Sequence, residues 1–359
     1  MRGLLLGLCL TFACAGSAFA QESRVSITYE SLQERIEKDN LDLSAQRASL
    51  EAILTSYEEA KDEILWNRTD LRDRARQKKE EGDVAGAASY NEQAKELLEA
   101  TKLLKRQIQS LNAASNTMEL RQTRDTLLLS AQEAMGAWHL AKSENEVCKA
   151  RLSEAAYGLE RAKRELMQGT GTKRAVDEAD LNLHRAQRAV DEKQAELKKT
   201  ERELAILCGY PQDTEIVVGA LPELDENFSP DLQKDRQKMY GNNYELRALR
   251  HAGISGNNKE RAAGRRSMAE AENLAYANLE NLAGKVTQAK KLVEVAKKAT
   301  AAEELTWQAI CHKKELGMLN PTEYLAAGRV HAETAGAYQN AKIALFLAQN
   351  RYEWAIKGL

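Results

Sequence analysis

This sequence predicts an all-α protein made of long antiparallel coiled-coil hairpins, and three observations predict it. Only four Pro and four Phe occur among 359 residues, while 43% are hydrophobic and 30% charged, the composition of long helices that bury a narrow apolar stripe. Apolar residues advance by alternate threes and fours over most of the chain, the period of a coiled-coil seam. Glycine-centred turns separate those runs.

The first twenty residues read as a secretory signal. Arg2 supplies the charge, Leu4 through Ala15 is an apolar run, and Ala18-Phe19-Ala20 provides small residues before a cut at Gln21. Phe12 stands where a lipoprotein signal needs a small residue, so Cys14 is not read as an acylation site. Export is the first functional expectation.

In the mature chain a short helical segment precedes Asn40-Leu41-Asp42-Leu43 and Arg47. Two charged, helical stretches follow, Arg68 to Gly82 and Ala94 to Ile108. From Leu120 a seam runs through Leu127, Ala131, Ala134, Trp138, Ala141, Cys148, Leu152, Ala155, Leu159, Ala162 and Leu166, skipping Arg124 and Asn145. After Gly169-Thr170-Gly171-Thr172 a second seam runs through Val176, Ala179, Leu183, Ala186, Val190, Leu197, Leu204 and Leu207, skipping Lys193 and Thr200. These make one long hairpin. At Leu207-Cys208-Gly209-Tyr210-Pro211 the helix stops, and Ile216-Val217-Val218 forms a brief apolar run, placing a boundary near residue 220.

The rest repeats the design. Asn243-Tyr244-Glu245-Leu246 with Arg250 parallels the opening of the first half. A helix spans about Glu270 to Leu316, Gly317-Met318-Leu319-Asn320-Pro321 turns the chain, and a second helix runs from Thr322 to Lys357. Gly169, Thr172, Val176 and Ala179 stand at the spacings of Gly317, Asn320, Tyr324 and Ala327, so an internal duplication is expected. The domains are then a signal peptide 1–20, a first helical repeat 21–220 and a second 221–359.

Several function classes are excluded. With 52 Lys and Arg against 54 Asp and Glu there is no charge excess to draw nucleic acid, and few aromatics to stack on bases. After signal cleavage Cys148, Cys208 and Cys311 remain, an odd number that cannot complete a disulfide framework, so each is expected to pack as a small apolar residue. No later stretch is long and apolar enough to span a bilayer as a helix. His139, Glu144 and Cys148 share a helix, but Cys148 sits on the seam, and the adjacent Cys311 and His312 point apart, so no metal site is assigned. No Gly-rich phosphate loop, nucleophile elbow or other catalytic constellation occurs, which predicts a non-enzyme without a cofactor.

The two Asn-x-[Asp/Glu]-Leu steps, the Gly317-x-x-Asn320 turn followed by Glu323, Tyr324, Leu325 and Ala327, and the Leu207-x-Gly209-x-Pro211-x-Asp213-Thr214 linker together resemble the TolC-type outer-membrane efflux protein family. The resemblance implies an exported helical conduit or docking component of a tripartite-type efflux or secretion system. It also implies a homotrimer whose hairpin tips meet a periplasmic adaptor (membrane fusion) protein, itself joined to an inner-membrane pump. In that family each half contributes a pair of strands to a membrane β-barrel. Here the first such place, between Trp66 and Leu120, is charged and helical, and the second, between Gly253 and Ala271, is polar, so a protomer with little or no β-barrel is expected in the cell envelope, in outer membrane or periplasm. The alternative is an exported coiled-coil structural or interaction protein without transport activity.

The candidate partner-binding residues are the two tips, Gly169, Thr170, Gly171 and Thr172 with Gly317, Met318, Leu319 and Asn320. Helix ends leave backbone groups unpaired that a partner can engage. The glycines permit the turns, whereas Met318 and Leu319 read as an exposed apolar pair that a turn alone does not require.

Overall fold

The computed structural model describes residues 25–112, 114–252 and 257–359, so the signal segment and its Cys14 lie outside the described residues. In chain order the elements are β1 (Val25–Ile27), α1 (Ser31–Asp39), α2 (Leu41–Glu80), α3 (Val84–Leu111), α4 (Ala114–Met167), α5 (Lys173–Leu207), β2 (Ile216–Val218), α6 (Leu232–Asn242), α7 (Tyr244–Ala252), α8 (Asn258–Glu315) and α9 (Pro321–Lys357). The all-α expectation holds. α8 begins well before the Glu270 read from sequence, because Asn257 accepts from the Glu260 amide while the Glu260 carboxylate accepts from the Asn257 amide, a complete capping box.

α4 is the central helix, with 54 residues spanning about 80 Å. It packs on α5 along one face and on α9 along another, and α8 covers the far side of α9. Contacts between α4 and α9 run in strict antiparallel order: Gln132 with Trp354, Glu133 with Arg351, Gly136 with Leu347, Val147 with Gly336, Glu154 with Arg329 and Arg161 with Thr322. A Cβ on Gly136 would lie 2.6 Å from a Leu347 methyl, and one on Gly336 would lie 2.6 Å from a Val147 methyl. Each helix thus offers a glycine to the other's branched side chain, about three turns apart on both.

Two faces on α4 explain a burial pattern wider than one seam. Ala131, Ala141, Cys148, Leu159 and Ala162 are buried where the α5 seam requires it, but Leu128 and Met135 are buried too, in a core shared with Trp354 of α9. Cys208 is also buried and Cys311 half-buried, all three thiols being free.

The polar residues that interrupt the seams have partners across them or along the helix. Lys193 binds Glu144 of α4 at 2.6 Å and Glu196 at 2.8 Å, and Thr200 donates to the Glu196 and Leu197 carbonyls. Asn145 is the exception: its side-chain oxygen is buried without a hydrogen-bond partner.

At the base of the bundle the two halves close in the same way. Asn40 caps α2 by accepting from the Leu43 amide, Asn243 accepts from the Leu246 amide, and Leu43 and Leu246 are buried. Seven residues on, Arg47 donates back to the Glu37 carbonyl and Arg250 to the Tyr240 carbonyl. The far end of each hairpin returns to this point. Asn40 donates to the Leu207 carbonyl at 2.9 Å and Asn242 to the Ile356 carbonyl at 3.0 Å. A Cβ on Gly209 would lie 2.0 Å from the Asp39 carbonyl oxygen, and one on Gly358 2.5 Å from that of Asn242. Strand β2 pairs in parallel with β1, Val25 opposite Ile216 and Ile27 opposite Val218, tying the linker to the start of the chain. Asp125 of α4 bridges the halves, accepting from Arg124 and, at 2.6 Å, from Tyr244 of α7.

Where a first pair of strands was in question, α2 and α3 form a third coiled-coil hairpin turned at Gly82, packed almost wholly on itself through Ala75, Ala87, Ala94 and Thr101. Residues 253–256 lie outside the described residues, and α8 occupies the second place from Asn258 on. Among the described residues β1 and β2 are the only strands.

Replacing Gly209 by Ala forces a methyl into the Asp39 carbonyl at positive φ, and is expected to destabilise the protein by more than about 1 kcal/mol. Gly158→Ala in α4, where nothing lies within 4 Å of an added Cβ, is expected to raise or preserve the melting temperature. Equal melting shifts for the two variants would contradict this packing.

Burial pushes the Tyr29 and Tyr244 hydroxyls up from 10.0 to about 12, with Glu353 adding to the first and Asp125 to the second. Between those values the unfolded chain loses protons that the folded chain keeps. The stability these two hydroxyls contribute is therefore expected to be fully present below about pH 10 and to be lost progressively toward about pH 12, as read by chemical denaturation across that range.

Candidate functional site

Both tips are built by the same local rule. Gly169 and Gly317 take positive φ, and the amides that follow reach back into the helix just ended: Gly169 N to Leu166 O and Thr170 N to Glu165 O, Gly317 N to Lys314 O and Met318 N to Lys313 O. Thr172 then caps α5 by accepting from the Ala175 amide at 3.2 Å. Asn320 caps α9 by accepting from the Thr322 amide at 2.8 Å, and Pro321 occupies the first turn. Gly171 has a further reason to lack a side chain, since a Cβ there would lie 2.8 Å from the Leu166 amide nitrogen. Much of the hydrogen-bonding capacity of these ends is therefore satisfied internally.

The α4–α9 register brings the tips side by side. Arg161, near the end of α4, approaches the Thr322 hydroxyl at the start of α9, at 3.4 Å. Farther in, Arg329 bonds Glu154 at 2.6 Å and Glu333 at 2.8 Å, and Arg151 bonds Glu333 at 2.8 Å, a four-residue ionic network across the two hairpins. This network pulls the Glu333 carboxyl below its ordinary range despite the opposing effect of burial.

The apolar content of the tips differs from the sequence reading. Met318 is 73% exposed, but Leu319 is half-buried. Exposed apolar residues also include Leu316 beside Met318 and, on the first tip, Met167 at 79% and the seam residue Leu166 at 39%. Leu316 and Met167 both stand within two residues of the turn glycines, a place where a helix ending in water ordinarily carries a polar residue.

His139 lies far from the tips, beside the linker. Its Nε2 lies 2.8 Å from the Gly219 carbonyl, and burial holds its pKa below the ordinary value against the opposing effect of that hydrogen bond. A groove of about 460 Å³ between the linker and the helices is lined by His139, Leu221, Tyr338, Lys342 and Phe346. Glu144 is bound to Lys193 rather than directed at His139, and among the described residues no group of three or more His, Cys, Asp or Glu is placed to hold a metal ion.

No family model and no curated protein matches this sequence. Solved structures do. The chain aligns over 92% of its length with 90% of the outer-membrane channel OprN at a TM-score of 0.54 and 14% identity. It aligns over 92% of its length with 95% of CusC, a protein described as forming a transmembrane channel, at 0.55 and 12%. A membrane protein from Pseudomonas aeruginosa matches over 92% of this chain and 90% of its own, at 0.53 and 12%. At such identities the likeness is one of fold, and the chain has the helical fold of the TolC-type outer-membrane channels.

Proposed function

We propose that the protein is an exported helical conduit or docking component of a tripartite-type efflux or secretion assembly, working in the cell envelope with a periplasmic adaptor and an inner-membrane pump. The observation that carries this reading is the pairing of two glycine-turned tips at one end of a four-helix layer, each presenting exposed apolar side chains, Met167 on one and Leu316 with Met318 on the other. The fold shared with outer-membrane channels supports it. Its repeats are assigned to 21–220 and 221–359, with β2 as the last element of the first. It acts by shape and contact, without chemistry.

Self-association completes the proposal. The face of α8 turned away from α9 carries Leu292, Val295 and Leu305, all exposed, and a closed conduit requires that such a face meet a neighbouring protomer. A homotrimer is expected. Light scattering of the mature protein at high micromolar concentration should give three times the chain mass, and a monomer under those conditions would sink the closed conduit.

The second reading, an exported coiled-coil spacer without transport activity, is favoured by one observation, the α2–α3 hairpin. No helix of the described residues is long and apolar enough to cross a membrane. Replacing Met167 and Met318 by Ser separates the readings. Both side chains are exposed, so helicity and mass should be unchanged, while capture of a co-expressed adaptor should weaken about tenfold or more, the effect of losing a small apolar anchor pair. Undiminished capture would remove the tips as the docking site, and no capture by the unmodified protein would favour the spacer.

A further inference from the structure

The two hairpins diverge in one place near the tips. Where the first has Leu159, Val176 and Leu183 on its seam, the second has Trp307, Tyr324 and His331 at the corresponding spacings from the turn glycine. The Trp307 ring lies across Gly328, whose missing Cβ would be 3.4 Å from the indole, so the glycine makes room for the ring to lie flat. His331 stacks on Trp307 with ring centroids 5.0 Å apart and 13° between planes, and Tyr324 lies against it at 5.2 Å and 31°. The Lys314 ammonium stands 3.5 Å from the Tyr324 ring centroid, and Glu304 lies 4.0 Å from His331 Nε2. The stack thus alternates between α8 (Glu304, Trp307, Lys314) and α9 (Tyr324, His331) through the last turns before the tip.

From this geometry we propose that the stack is a pH-sensitive clamp, in which protonation of His331 tightens α8 against α9 and stiffens the second tip. A neutral imidazole on an indole gains dispersion and stacking. An imidazolium adds a cation on the electron-rich face of Trp307 and a charge partner for Glu304. Histidine is the side chain whose charge changes near physiological pH, so the gain arrives as the surroundings acidify.

The neighbouring charges leave Glu304 as its partner. From α8, Glu303 shares the turn with Glu304, but Glu304 makes the contact. From α4, Arg151 and Glu154 reach α9 and are held by Glu333 and Arg329, the charged residues flanking His331 on its own helix. The first hairpin has only aliphatic side chains at these positions, so acidification would stiffen one tip and leave the other unchanged.

The test uses the full mature chain. The Trp307 contribution to indole emission, taken as the difference between the protein and its Trp307→Phe variant, should fall as pH is lowered from about 8 to about 5, because a cationic imidazole in contact quenches indole. His331→Gln should abolish that pH dependence, and Glu304→Gln, which removes the charge partner 4.0 Å from Nε2, should weaken it. Hydrogen exchange of the amides from 312 to 322, corrected for the intrinsic rate at each pH, should show several-fold greater protection on the acid side, with no such change from 165 to 173. Should a variant misfold, the imidazole proton resonances of His331 in the unmodified protein report the same titration. A pH-independent Trp307 emission, a titration that survives His331→Gln, or equal exchange at both tips on the two sides of the transition would each overturn the clamp.

Discussion

The close approach of α4 and α9 sets the spacing on which the remaining contacts depend. Gly136 receives Leu347 and Gly336 receives Val147, so each helix is both the ridge and the groove of the other at points about three turns apart. A methyl at either glycine would stand 2.6 Å from a side-chain carbon, well inside van der Waals contact, so Leu347 or Val147 would have to leave its place or the helices separate. Separation would carry away the Trp354 bond to Gln132 and the ionic network of Arg151, Glu154, Arg329 and Glu333, all of which need the same interaxial distance. The alignment of the two tips follows from this register.

Polar residues then fix what apolar seams leave open. Alanine-rich stripes with a period near 3.5 tolerate a slip of one heptad with little loss. Lys193 with Glu144, and Trp138 with Glu201 at 3.0 Å, form only in the observed register of α4 on α5. Asn145 lacks a partner for its buried oxygen, and an unsatisfied group of this kind is unfavourable by about 1–3 kcal/mol. Its presence on the seam fits a role in register rather than in stability.

Much of this fold was legible because its hairpins are long: a period that persists for many heptads, broken by Gly-Thr-Gly-Thr or Gly-Met-Leu-Asn-Pro, admits few other structures. The residues that escaped did so for identifiable reasons. Leu128 and Met135 belong to a second face of α4, and a single-seam reading assigns them to solvent. The capping box of Asn257 and Glu260 was visible as spacing but lies next to a Gly-Asn-Asn stretch that reads as a loop. The α2–α3 seam is hidden because its buried residues are three alanines and a threonine, interleaved with charges. At the tips, spacing marks Leu319 as exposed, whereas it is half-buried and Leu316 and Met318 are the exposed side chains, a difference set by the turn and not by the pattern. No linear pattern announces that Trp307 will lie over Gly328 between Tyr324 and His331, since that requires the pairing of α8 with α9.

The two halves agree and differ in a physically ordered way. They agree where side-chain amides and glycines meet main-chain atoms: Asn40 and Asn243 as caps, Arg47 and Arg250 on carbonyls three residues before those caps, Gly209 and Gly358 against the Asp39 and Asn242 carbonyls. A carbonyl cannot repack around a larger neighbour, so these positions admit few substitutes. They differ where only side chains meet. The first half carries an additional hairpin beyond its opening helix, and the second replaces three aliphatic seam residues by an aromatic stack. Interdigitated side chains accept such exchanges when volume and pattern are kept. The shared base therefore gives both halves the same frame, and the features that distinguish them, the charged α2–α3 hairpin of one and the Trp307 stack of the other, lie away from it.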